Sequence, residues 1–171
     1  MDYKKFIEYV KLVAEAHQEK PLTEAKAIRT FQSGESNLYF THSLWCAMTI
    51  LLETKLPEAI RVSGAEALLF HDVLEDTSAE LPSDLSSEVK EMIQGMTFNN
   101  FNDEVKEILN KPAQAQLLKL YDKTATLYDG ERKGKVSKEW FNYIRQLIDN
   151  VEKEYGELNI VILAKALIKN Y

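Results

Sequence analysis

The eight residues "FHDVLEDT", positions 70 to 77, hold a histidine and three carboxylates directly after the apolar run "EALLF". Apolar runs lead into cores, where an ionised side chain is costly unless it is paired or bound to metal. On a helix, residues three and four apart are neighbours, so Asp72, Glu75 and Asp76 share one face. Carboxylates that close raise one another's pKa values unless a cation sits among them. His71 beside Asp72 offers a divalent metal mixed N/O ligands, a set suited to Mn, Fe, Zn or Mg rather than to thiolate-seeking metals. The remaining ligands must come from other helices, and His42 and Asp122 are the candidates. Asp122 interrupts "LLKLYDKTATL", whose apolar face should be buried, so it too needs a partner. Each residue taken alone has a plainer reading. His42 suits a helix start, Asp122 could pair with Lys119 or Lys123, Asp76 could end a helix, and Glu75 could be solvated. His17, near the end of the first helical pattern, reads as a helix-terminal residue favoured by the dipole.

The elements that must position these groups have helical spacing almost throughout. "DYKKFIEYVKLVAEAHQ" places Phe6, Val10, Val13 and Ala14 on one face, with Ile7 and Leu12 flanking, and Pro21 breaks the helix. "LTEAKAIRTF" reads as a short second helix and "QSGESNLYF" as a loop. Thr41 is placed to cap "HSLWCAMTILLET". Pro57 opens a helix running through "EAIRVSGAEALLFHDVLE", with Gly64 a weak point in its middle. A polar loop follows, and Ser86 or Ser87 starts "EVKEMIQGMTF". Asn99 to Asp103 form a break before "EVKEIL". Pro112 opens "AQAQLLKLYDKTATLYD", which ends at Gly130, and "GERKGK" is a solvated loop. "SKEWFNYIRQLIDNVEKEY" and "LNIVILAKALIKNY" are amphipathic, and "LNIVIL" has no β partner elsewhere. The expectation is one all-α domain over residues 1–171.

Composition narrows the function. The chain has 171 residues, long enough to bury roughly two-thirds of its unfolded surface in one core. With 21 Lys+Arg against 27 Asp+Glu, the net charge is −6 and no basic block exists, which disfavours a nucleic-acid polymer as partner. A small anionic substrate stays open, because a metal supplies positive charge locally. The lone Cys46 rules out an internal disulfide and reads as a small core hydrophobe. There is neither a membrane-length apolar run nor a signal-peptide pattern, so no membrane is expected and a cytoplasmic location is the default.

The pattern His42, His71-Asp72, Asp122 resembles the HD-domain superfamily of metal-dependent phosphohydrolases, and "HDVLEDT" is similar to the HDxxED signature of the alarmone (guanosine tetra/pentaphosphate) hydrolases. "SGESNLYFTHSL" resembles that family's Gly-[Glu/Thr]-Pro-Tyr-Ile-x-His-Pro segment, with two extra residues and Ser43 for proline. "LLKLYDKTATL" resembles its Val-Lys-Leu-Ala-Asp-Arg-Leu-x-Asn-Leu, and the likeness runs from about 25 to about 155. The resemblance implies an HD-type helical bundle. It implies a divalent cation, Mn²⁺ by preference with Mg²⁺, Fe²⁺ or Zn²⁺ as alternatives, on His42, His71, Asp72 and Asp122. Glu75 and Asp76 would activate water for attack on a 3′-pyrophosphate. Substrate contacts follow at Arg29, stacking on the base, at Lys119 and Lys123, holding phosphate oxygens, and at Thr126. Tyr143 is the candidate within the aromatic "EWFNYI", a stretch that otherwise reads as core.

Two departures bear on the substrate: Thr30 stands where the family has lysine, and Thr126 where it has asparagine. The leading expectation is a ppGpp/pppGpp 3′-pyrophosphohydrolase. The alternatives are an HD phosphohydrolase acting on another nucleotide or phosphoester, and a silent nucleotide- or protein-binding module. Oligomeric state stays open.

Overall fold

Helix α7 (Ala113–Tyr128) is apolar on nearly all sides, and the other helices gather around it. From Ala115 to Leu127 every residue except Lys123 is buried. A helix without a solvent face must be enclosed. The computed structural model describes residues 2–31, 33–129 and 137–169. In it, α7 is packed by α2 (Phe40–Leu51), α3 (Glu58–Phe70), α5 (Ser87–Met96), α8 (Lys138–Tyr155) and α9 (Asn159–Ile168). α1 (Tyr3–Glu19) closes the outer side of α2 and α3, with the Tyr9 ring set edge-on to Phe70 at 5.2 Å. Gly64 does not weaken α3. A Cβ there would stand 2.7 Å from Ile50 Cδ1 and 3.1 Å from Leu118 Cδ2, so its absence lets α3 approach α2 and α7.

The expected punctuation mostly holds. Ser86 accepts from Val89 N–H to cap α5, and Ser137 caps α8 through Trp140 N–H. Pro57 and Pro112 immediately precede α3 and α7. "LNIVIL" is helical, as the start of α9. α8 buries Trp140, Tyr143, Ile144, Leu147, Ile148 and Val151 along one stripe. Cys46 is buried, as a small core residue should be. The expected helix end at Gly130 and the segment "GERKGK" lie outside the described residues.

Several expectations are corrected. The segment 22–31 is not a helix but a single 3₁₀ turn (Glu24–Lys26) followed by strand β1 (Ile28–Thr30). β1 pairs antiparallel with β2 (Ser36–Leu38), inside what reads as a loop. The burial of β1 runs exposed, buried, exposed, with Arg29 inward, so a period of two suits it better than a helical face. Gly34, at φ 85°, turns the hairpin. Thr41 does not cap α2. The helix already begins at Phe40, and the Thr41 hydroxyl donates back to Leu38 O at 2.7 Å. The helix through "LLFHDVLE" breaks at His71 and Asp72, giving α3 and a single turn, α4 (Val73–Asp76). The break at 99–103 is shorter than expected, since Asn100 caps α6 (Phe101–Glu107). On α1 the buried stripe is Phe6, Tyr9, Val13 and Ala16, with Val10 and Ala14 half-buried. His17 is not a dipole-stabilised cation at a helix end. It is fully buried, its ring N–H bonds to Lys26 O at 3.0 Å, and burial lowers its pKa. No described helix is long and apolar enough to cross a membrane.

One buried carboxylate does purely structural work. α9 starts at Leu158 without a side-chain cap, and Glu53, just past α2, accepts from Asn159 N–H at 2.6 Å and from its side-chain amide at 3.2 Å. Substituting Glu53→Ala removes both bonds from the start of α9, and should cost about 0.5–2 kcal/mol in urea unfolding with helix content retained.

Candidate metal centre and active site

Two helices and one helix break meet at a cavity of about 500 Å³. His42 comes from the first turn of α2, His71 and Asp72 from the α3–α4 break, and Asp122 from the middle of α7. The break matters because it turns two successive residues toward one point, which a continuous helix spreads by about 100°. One ligand atom each from His42, His71 and Asp72 lies within 4.8 Å of the others. Asp122 Oδ1 joins them at 3.3 Å from His42 Nε2 and 3.9 Å from His71 Nε2.

The donor chemistry fits a divalent cation. His71 Nδ1–H donates to Leu68 O at 2.7 Å, which fixes the tautomer and leaves Nε2 with its lone pair facing the cluster. That Nε2 is buried and makes no hydrogen bond, although Asp72 Oδ1 lies 3.2 Å away. Burial works against a charge on His71, yet Asp72 and Asp122 lift its pKa to about 9. The two carboxylates therefore demand positive charge at this point, and a divalent cation meets that demand with oxygen and imidazole donors of the right kind.

The carboxylates divide by surroundings. Burial pushes the Asp122 carboxyl up, but Lys123, Lys119 and the two histidines overcome it and hold it well below the usual range. Asp72 is likewise held low against burial by His71 and His42. Glu75 and Asp76 on α4 are both raised, by burial first and then by neighbouring charge, chiefly Lys119 opposing and Asp72 adding for Glu75, and Asp72 adding for Asp76. Two carboxyl groups thus stay ionised beside two that are readier to take a proton. Glu75 and Asp76 are each held in place. Glu75 Oε1 accepts from Phe98 N–H at 2.8 Å, and Asp76 Oδ1 is 2.6 Å from Lys26 Nζ. The α4 turn is itself pinned to the exit of α1, through Leu22 N–H to Asp76 O and Ser78 N–H to Lys20 O, both 2.9 Å.

Of the expected substrate contacts, Arg29, Lys119, Lys123 and Thr126 line the cavity. Arg29 reaches it from β1, ion-paired with Asp129 at 3.3 Å and 5.8 Å from the Tyr39 ring. The Thr126 hydroxyl donates to Asp122 O at 3.2 Å, along its own helix. Tyr143 is not brought to the cavity wall. It lies in the buried stripe of α8, 1% exposed, and its hydroxyl donates to Glu104 Oε1 at 2.9 Å. Thr30 is exposed and faces Ser36 across the hairpin. Sequence reasoning passed over Glu104, Lys26 and Tyr39, which also line the cavity. Glu104 has a trace in the sequence: two lysines on a buried stretch of helix require more counter-charge than Asp122 alone supplies.

This helical architecture is shared with a protein of known structure. The solved structure of a metazoan ortholog of SpoT, described as hydrolysing ppGpp and playing a role in starvation responses, superposes with a TM-score of 0.72. The superposition covers 99% of this chain and 97% of that one, at 18% identity. No family model matches the sequence, and no curated protein matches it.

Adding a divalent ion should raise the melting temperature, by about 2.7 kcal/mol of added stability at a hundredfold excess over the dissociation constant. In His71→Ala and Asp72→Ala the rise should disappear in thermal scans with and without metal.

Proposed function

We propose that the protein is a divalent-metal-dependent phosphohydrolase, most specifically one that releases pyrophosphate from the 3′-position of ppGpp or pppGpp to leave GDP or GTP. The reading is carried by one observation: the His71-Asp72 break faces His42 and Asp122 while α4 presents Glu75 and Asp76 to the same cavity. The fold shared with a protein said to hydrolyse ppGpp supports the choice of substrate.

His42, His71, Asp72 and Asp122 would hold the metal, Mn²⁺ by preference, which when bound lowers the pKa of water and polarises a phosphoryl oxygen. Glu75 and Asp76 would orient the attacking water and take its proton, the role for which their raised pKa values suit them. The Phe98 amide and Lys26 aim these two carboxylates. Arg29 and the Tyr39 ring would flank a base, and Lys119 and Lys123 stand where they could meet phosphate oxygens.

A second reading keeps the metal chemistry and changes the substrate to another nucleotide or phosphoester. It is favoured by Thr126, whose hydroxyl is turned to its own backbone, and by Arg29, which is tied to Asp129. Product analysis with ppGpp decides between them. Pyrophosphate and GDP appearing only with Mn²⁺ supports the first reading. Turnover confined to 5′-nucleotides or bis(p-nitrophenyl) phosphate supports the second. In either case Glu75→Ala and Asp76→Ala should each lower kcat by about 10²–10⁴-fold while the metal-induced rise in melting temperature persists. Full activity in both variants removes the proposed roles.

A further inference from the structure

Helix α6 brings one acidic residue over the cavity that the proposed chemistry does not use. Glu104 is buried, with Oε2 at 3.2 Å from Lys119 Nζ and 3.0 Å from Lys123 Nζ. Its other oxygen accepts from Tyr143 O–H at 2.9 Å, which fixes the direction in which Oε2 points. Asp122 Oδ2 lies 3.1 Å from each of the same two lysines. Two cations thus face two carboxylates, and the set is neutral before any substrate arrives.

We infer that Glu104 is a specificity-determining residue: its carboxylate competes with substrate phosphate for Lys119 and Lys123, and so limits how much negative charge the site accepts away from the metal cluster. This rests on the reading of the cavity as a phosphohydrolase site.

The balance of charge supports it. Among the described residues the cavity is lined by four cationic side chains and five carboxylates. A divalent ion changes that balance from one negative charge to one positive, and removing Glu104 doubles the remainder. Glu104, Lys119 and Asp122 are buried, so a single unit of charge among them weighs heavily on an incoming phosphate, because screening is weak there. The carboxylate therefore works as a repulsive element against polyanions, which is how a site rejects one substrate while keeping another. Asp122 holds the same lysines through Oδ2, but its Oδ1 also faces the histidines, so of the two carboxylates only Glu104 can be changed without disturbing that cluster.

The test is calorimetric binding of inorganic pyrophosphate in chelator-treated buffer, where nothing turns over. It reads the lysine pair whether or not ppGpp is a substrate, so its failure is distinct from failure of the alarmone reading. Glu104→Gln, nearly the same shape without the charge, should bind pyrophosphate about tenfold more tightly than the unaltered protein. Adding Lys123→Gln should cancel that gain. Glu104→Asp withdraws the carboxylate by one methylene and should give a smaller gain in the same direction, which keeps the test readable if the glutamine variant melts too low to measure. Pyrophosphate affinity that is unchanged or weaker in the folded variants overturns the inference, as does a gain that survives Lys123→Gln. A merely structural Glu104 lowers the melting temperature and tightens nothing.

Discussion

A helix buried on nearly every side nonetheless carries Lys119, Asp122 and Lys123 in its middle turns. Water cannot answer those charges, so protein groups must, and the arrangement of the surrounding elements follows from that demand. α6 supplies Glu104, α2 supplies His42, and the end of α3 supplies His71 and Asp72. Breaking one partner out of such a network leaves a charge stranded in low dielectric, which is far costlier than losing a surface ion pair. The cluster is therefore stable only as a complete set, and completeness is also what fits it to a metal.

The break between α3 and α4 serves the same end from the other direction. A continuous helix through residue 75 sends His71 and Asp72 to different sides. Interrupting it at those two residues costs backbone hydrogen bonds, and the helical pattern resumes only where Asp76 N–H and Thr77 N–H bond to Asp72 O and Val73 O. The short α4 turn then carries Glu75 and Asp76 into surroundings unlike those of Asp72, although the three are separated by only a few positions. Carboxyl groups acquire different protonation behaviour because lysines and histidines crowd Asp72 and Asp122, while burial prevails at Glu75 and Asp76.

Most of this was legible in the sequence because strong periodicity and scarce residue types carry it. Helical spacing located the long helices, and three histidines in the whole chain made His42 and His71 conspicuous. What stayed hidden depends on distant partners. β1 and β2 are three residues each, too short for an alternation to stand out, and their pairing is visible only once the turn at Gly34 is made. Glu104 opens "EVKEIL", directly after a break and with no burial signal of its own, and only the lysines of α7, fifteen and nineteen positions on, mark it as buried. His17 misled because a helix-end histidine is usually wet, whereas here the 3₁₀ turn folds over it and the Tyr39 ring stacks on it at 5.1 Å. Tyr143 was drawn toward the site by its aromatic neighbours, yet the apolar stripe of α8 holds it inside.

The hairpin hangs between two fixed points. Its incoming strand leaves from Pro21, which is bridged to Thr77 beside the α4 turn, and its outgoing strand runs directly into α2. Lys26, Arg29 and Tyr39 belong to this suspended segment, while His42 and Asp122 lie on helices packed on the core and His71 and Asp72 at the break between α3 and α4. The cavity wall is thus built from separately tethered pieces of chain. A change in the length of the suspended piece would reshape that wall while leaving His42, His71, Asp72 and Asp122 where the core holds them.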